Sequence, residues 1–180
     1  MGLKFLKTFL PGVYEIEHIH LNDDRGFFMK QYSTNLFINS PFTFEAKESF
    51  TTMSNKKVLR GMHCQYKYAK HKKLVTCIQG SVLDVVVDIR KESKLFNKPY
   101  SIKLSENQNK SLLIGYGYAH GFLSLEDNTI LQYITSYPYV SELDSGVNWN
   151  SIDFKWPGKN FFISERDSLL PSIHEHKILF

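Results

Sequence analysis

Lys73-Leu74-Val75-Thr76-Cys77-Ile78-Gln79-Gly80-Ser81-Val82-Leu83-Asp84-Val85-Val86-Val87-Asp88-Ile89 is the stretch that decides the fold. Two apolar, β-branched runs, Leu74–Ile78 and Val82–Ile89, meet at a turn signal centred on Gly80, and the junction reads as a hairpin. Similar short runs lie on both sides. Tyr14–Ile19, Gly26–Tyr32 and Phe42–Phe50 precede it, and Tyr100–Leu104, Ser111–Ile114, His120–Leu125 and Thr129–Tyr133 follow. The polar stretch Arg90–Lys98, closed by Pro99, is the break after the hairpin. Helical signals are confined to Thr34–Asn39 and Ser164–Leu170. Regular short strands with almost no helix predict an all-β chain, a sandwich, jelly roll or barrel, forming one domain over residues 1–180.

Composition agrees with this and narrows the function. The chain has 180 residues with 14 Phe, 10 Tyr and 2 Trp, residue types that fit pleated, half-buried surfaces. At this length roughly two-thirds of the unfolded surface is buried on folding, so a core needs no disulfide or metal staple. A net charge of +4 without a basic tract argues against nucleic acid as a partner and suits local cationic pockets for a phosphorylated small molecule. No apolar run has the length of a membrane span, and the start, Met1–Lys7, lacks the pattern of a signal peptide. Two cysteines, Cys64 and Cys77, support neither a zinc ribbon nor a disulfide framework, and a reduced, cytoplasmic setting is expected.

The most unusual polar groups lie in Val58-Leu59-Arg60-Gly61-Met62-His63-Cys64-Gln65. Strict alternation places Leu59, Gly61, His63 and Gln65 on one face and Arg60 with Met62 on the other, unless a bulge intervenes. His63 and Arg60 read either as a core histidine beside a surface arginine or as a general base beside an anion clamp. Lys73 opens an apolar run and is either solvated or functional. Asp84 stands within a valine-rich strand and needs a partner if buried. His120 lies near the glycines Gly117 and Gly121, where backbone approaches a ligand or simply turns. The pairs His18/His20 and His174/His176 each put two imidazoles on one strand face, but no ordered set of three or four ligands accompanies them, and no metal is expected. Walker and dinucleotide-binding glycine loops are missing, as is a Gly-x-Ser-x-Gly elbow.

Taken in order, these segments resemble the dTDP-4-dehydrorhamnose 3,5-epimerase family. The resemblance rests on Asp24-Arg25-Gly26-Phe27-Phe28, Val58–Gln65, Lys73-Leu74-Val75, Asp84–Ser93 and Gly117–Phe122. Tyr133, Trp149-Asn150, Trp156-Pro157 and Ser164-Glu165-Arg166-Asp167 complete it. It implies a cupin-type double-sheet jelly roll working as a homodimer, with no metal or organic cofactor, on a nucleotide-sugar substrate. It further implies that His63 is the base, oriented by Asp167, that Lys73 stands near oxygen 4 of a 4-keto sugar, and that Tyr133 returns the proton from the opposite face. Arg25, Arg60, His120 and Arg166 become substrate-binding residues, with the Arg25 segment crossing to the partner subunit. The chemistry suits these residue types, because a 4-keto group makes the hydrogens on carbons 3 and 5 acidic.

Three places depart from the family pattern. Lys30 stands where a glutamate is usual, and Glu48-Ser49-Phe50 where Gln-Asp-Asn is usual. Lys30 and Glu48 form a swapped ion pair or alter which base or sugar is accepted. Ile114-Gly115-Tyr116 likewise replaces Ile-Pro-Glu. The leading expectation is a double epimerase of dTDP-4-dehydro-6-deoxy-D-glucose serving surface polysaccharide synthesis. The alternatives are a single-carbon epimerase, one using a GDP- or CDP-linked sugar, a related ketoisomerase, a silent sugar-nucleotide-binding cupin and a metal-dependent cupin.

Overall fold

The computed structural model describes residues 2–66 and 70–178. Two antiparallel sheets and a small hairpin carry the fold. The larger sheet comprises β1 (Lys4–Lys7), β2 (Val13–Glu17), β5 (Glu48–Ser54), β7 (Lys73–Gln79), β10 (Lys110–Ile114) and β12 (Thr129–Thr135). Its order is β1-β2-β10-β7-β12-β5. The smaller sheet comprises β6 (Leu59–Gln65), β8 (Ser81–Asp88), β9 (Pro99–Ser105), β11 (Tyr118–Ser124) and β13 (Asp144–Gly146), ordered β13-β6-β11-β8-β9. The separate hairpin pairs β3 (His20–Asp23) with β4 (Gly26–Met29). Two four-residue helices, α1 (Thr34–Phe37) and α2 (Glu165–Ser168), are capped by Ser33 and Ser164, whose side chains accept from Leu36 and Asp167 N–H groups. This is the double-sheet jelly roll expected, and the helices are shorter than the sequence signals suggested.

Strand β8 shows why its valines are continuous. Val82 and Val86 face the larger sheet, packing with Val75, Leu112, Leu131 and Phe122. Val85 and Val87 face outward, where Trp156, Ile152 and Ile173 of the C-terminal segment cover them. A strand buried on both faces loses the alternation of a half-exposed one. A third cluster seals the outer face of the larger sheet, where Phe37 and Phe44 pack on Ile16, Leu74 and Leu113. Cutting back a fully buried side chain such as Leu112 in the central cluster costs roughly 2–5 kcal/mol.

Three expectations are corrected. Residues 42–47 are not strand: Phe42 and Phe44 are anchors for α1, and pairing with β12 begins only at Glu48↔Thr135. Pro99 does not merely end the polar break but opens the edge strand β9, where a missing N–H is tolerated. The pairs His18/His20 and His174/His176 do not share strand faces. His18 lies between β2 and β3, and residues 173–175 form a turn.

Candidate active site

The site is made by a change of phase in β6. His63 stands opposite His120, and Arg60 opposite Phe122, so Gly61 and Met62 together oppose only Gly121. The extra residue is a bulge, which re-aims the strand. Before it Leu59, and after it Met62 and Cys64, point into the outer core, whereas Arg60 and His63 line a common depression. Strict alternation, which separated Arg60 from His63, is therefore overturned. Gly61 permits this with φ +134°, a conformation that other residues rarely adopt, and a Cβ there would lie 2.5 Å from Gly121 Cα.

Asp167 reaches the bulge from α2. Its Oδ1 lies 2.7 Å from His63 Nε2, and its Oδ2 accepts the Gly61 N–H at 3.0 Å. The carboxylate thus fixes the ring and the bulge at once. In neutral His63, Nε2–H donates to Asp167, leaving Nδ1 with the basic lone pair. Burial lowers the His63 pKa below the usual histidine value, Asp167 opposes that, and Lys73 and Arg166 reinforce it. Burial raises the Asp167 pKa, but hydrogen bonds from His63 and Gly61 and the charges of His63 and Arg166 bring it below the usual carboxylate value. The pair is therefore an anionic carboxylate holding a neutral imidazole at neutral pH.

Other inner-face residues complete the surroundings. Lys73 on β7 donates from Nζ to the His63 carbonyl at 3.2 Å, and burial lowers its pKa. His120 is buried with Asp84, whose two oxygens lie 2.8 and 3.0 Å from Nε2, which answers the question of Asp84's partner. Tyr133 stacks on Phe50 across β12 and β5 at 4.8 Å and stands 6.0 Å from the His120 ring, edge to face. Burial, with Asp84 adding, raises the Tyr133 pKa, so its phenol stays protonated throughout the working range. Arg166 contacts His63 Nε2 at 3.2 Å and bonds Asp144. A cavity of about 360 Å³ opens here, lined among others by Glu48, Phe50, His63, Lys73, Tyr139 and Arg166. His63 and Lys73 line this space, whereas Tyr133, 6% exposed, lies behind Phe50 and is not among its lining residues. A base and a cation so placed can remove a proton at a carbon beside a carbonyl.

The expected residues are not all brought together. Arg60 lies in a neighbouring depression of about 310 Å³, and His63 with Arg166 forms the wall between the two. There Arg60 donates to Ser54 Oγ and Met53 O. Arg25 sits on the exposed β3–β4 hairpin, paired with Asp23 at 2.5 Å, and does not line the cavity. Lys30 lies over the Phe28 ring at 6.0 Å, and Glu48 Oε2 accepts the Tyr139 N–H at 2.9 Å. Among the described residues the two form no ion pair within the chain, so the swapped pair is not made there. Sequence reasoning missed Asp144, Tyr139 and His71 as lining groups, and no spacing signal marked them. Among the described residues no group of three or more His, Cys, Asp or Glu side chains could hold a metal.

A jelly roll with a carboxylate-held histidine on its inner face, a lysine beside it and a buried phenol nearby defines a class: acid–base isomerases of the cupin type. Comparison with known proteins makes the class specific. The family model described as dTDP-4-dehydrorhamnose 3,5-epimerase matches residues 7–175. A dTDP-4-dehydrorhamnose 3,5-epimerase of Methanothermobacter thermautotrophicus is 33% identical over 180 residues, covering 97% of each chain. The crystal structure of the Bacillus anthracis enzyme with TDP and PPi bound superposes with a TM-score of 0.90 at 31% identity, covering 94% of this chain and 99% of that one. A 3'-monoepimerase from Streptomyces bikiniensis, in complex with dTDP-quinovose, has a TM-score of 0.85 at 26% identity, covering 91% of this chain and 84% of its own. The chain belongs to the dTDP-4-dehydrorhamnose 3,5-epimerase family.

Proposed function

We propose that this protein is a cofactor-independent isomerase that epimerises a nucleotide-linked 4-keto-6-deoxyhexose by proton transfer. The His63–Asp167 pair at 2.7 Å, set in a cavity with Lys73, carries the reading. His63 takes the proton from carbon 3 or 5, and Asp167 stabilises the imidazolium that results. Lys73 faces oxygen 4 and stabilises the enolate as it forms. Tyr133 delivers a proton from the opposite face, completing inversion. Arg60 and Arg166 hold the pyrophosphate and sugar, Arg60 as a planar fork, while His120, sealed with Asp84, braces the wall behind them. The substrate of this reading is dTDP-4-dehydro-6-deoxy-D-glucose, whose double epimerisation gives dTDP-4-dehydro-L-rhamnose for surface polysaccharide; the relatives are named dTDP-4-dehydrorhamnose 3,5-epimerases.

The working form is a homodimer. Leu21, Phe27 and Phe28 are more than half exposed on the hairpin that carries Arg25, an apolar arm that fits a second copy and would bring Arg25 to the partner's site. The two cysteines are buried and unpaired, which suits the cytoplasm. No helix among the described residues is long and apolar enough to cross a membrane.

Turnover in D₂O tests the reading. Deuterium should enter carbons 3 and 5 of dTDP-4-keto-6-deoxyglucose by NMR, and His63→Ala should abolish it. A variant as fast as wild type would remove His63 from the mechanism. The second reading, a single-carbon epimerase or one using a CDP- or GDP-linked sugar, is favoured by the 3'-monoepimerase likeness and by Glu48. Exchange at one carbon only would select the former.

A further inference from the structure

Tyr133 works from a buried seat. Its ring belongs to the central apolar cluster with Val75 and Leu131, and Phe50 stacks on it. A phenol that gives its proton to a carbon keeps the electron pair of the O–H bond, so its oxygen becomes an anion. In apolar surroundings that anion needs a hydrogen-bond donor.

β5 offers one. Tyr133 stands opposite Phe50 and Leu131 opposite Thr52, which makes Thr52 the diagonal neighbour of Tyr133. Alternation puts Thr52 on the same face as Phe50 and Ser54, the serine whose Oγ accepts from Arg60 at 3.0 Å. Thr52 Oγ1 is buried and has no aligned hydrogen-bond partner among the described residues. Burial and the Asp84 charge raise the Tyr133 pKa, whereas a hydrogen bond from Thr52 and the charge of Arg60 lower it. The contact is loose at rest and serves the anion, as hydrogen bonds in catalysis often tighten only during reaction. A valine would fill the same space without burying a hydroxyl, so stability gives no reason for the threonine.

We propose that Thr52 is a positioning residue for Tyr133, its hydroxyl donating to the phenol oxygen as that oxygen gives up its proton. This rests on the epimerase reading above and deepens it. The phenol O–H bond breaks as the C–H bond forms, and the charge of the enolate passes to the phenol oxygen. Thr52 keeps its own proton, and water later returns one to the phenolate.

The test compares Thr52→Val and Thr52→Ser, with Thr52→Val also made in Tyr133→Phe. Deuterium entry into recovered substrate and formation of the epimer are followed by NMR in D₂O. Thr52→Val should slow inversion roughly ten-fold while exchange on the His63 face continues, with a thermal midpoint equal to or above wild type. Thr52→Ser should recover most of the loss. In Tyr133→Phe the valine should leave the residual inversion where it is. Inversion at the wild-type rate in Thr52→Val, equal loss of exchange and inversion, a serine as impaired as the valine, or a further loss in Tyr133→Phe each overturn the role of Thr52 and leave the epimerase reading standing. A wild type inert toward the dTDP-, CDP- and GDP-linked 4-keto-6-deoxyglucose overturns both.

Discussion

His63 and His120 face one another across β6 and β11, and each is held by its own carboxylate, Asp167 and Asp84. The two pairs differ in access. His120 and Asp84 are sealed, with side chains 3% and 0% exposed, whereas His63 retains 27% exposure toward the cavity. The sealed pair braces the inner face, and the open pair can exchange a proton with a ligand.

Replacing Asp167 by Asn separates the carboxylate's effect from its shape. Turnover should fall by roughly 10²–10⁴-fold, the usual scale for general acid–base groups. The pH profile gives the sharper reading. Burial already lowers the His63 pKa, and Asp167 is what holds it up. The acid limb of kcat/KM should therefore lie below the ordinary histidine value in the wild type and move lower still in Asp167→Asn. An unmoved or higher limb would show that the two groups are not coupled.

Tyr133→Phe should divide exchange from inversion. The ring stack on Phe50 survives this change, and only the phenol is lost. His63 can still remove and return a proton on its own face, so recovered substrate should gain deuterium in D₂O while the epimer scarcely forms. Equal loss of exchange and inversion would mean that Tyr133 acts in proton removal itself.

His18 gives the fold a pH dependence unrelated to catalysis. Its Nδ1–H donates to Lys30 O at 3.3 Å, and Nε2 accepts from Ser111 Oγ at 2.5 Å. Burial lowers its pKa from 6.5 to about 4, with the Lys30 contact opposing. Since the unfolded chain binds this proton first, the stability is fully present above 6.5 and is lost as pH falls toward 4. Integrated from pH 7.5 to 5, the loss is about 2 kcal/mol. Urea midpoints at the two pH values should differ by less in His18→Gln, and an unchanged difference would remove His18 as the source.

Some of this was legible in sequence for clear physical reasons. The Gly80 hairpin joins two strands whose apolar residues meet buried surfaces, so pattern and structure agree. The Phe42–Phe50 run misled because exposed or anchoring aromatics alternate without a partner strand until Glu48. Asp167 lies 104 residues from His63, a contact that no local spacing encodes and that only the family resemblance supplied. Arg60 was placed on the wrong face because alternation assumes regular backbone, and Gly61 does not have it. Tyr139 and Asp144 carried no motif, since their role comes from where a 3-10 turn and a short edge strand fall.

That backbone yields the last prediction. Gly61 and Gly121 cross at the bulge with no room for a methyl group on either. A Cβ at Gly121 would lie 2.7 Å from the Arg60 carbonyl and from Met62 Sδ, and one at Gly61 would meet Gly121 Cα. Gly121→Ala should lower stability by roughly 1–3 kcal/mol, since the thioether can yield but the carbonyl cannot without moving the strand. Gly61→Ala should cost more, because it adds the penalty of a side chain at φ +134° to the clash with backbone. The loss should reach the site, since the Gly61 N–H is one of the groups that hold the Asp167 carboxylate. Each variant that still folds should therefore show a lower kcat and a displaced acid limb as well as a lower urea midpoint. A variant destabilised as expected but with wild-type kcat and pH profile would show that the bulge serves folding alone.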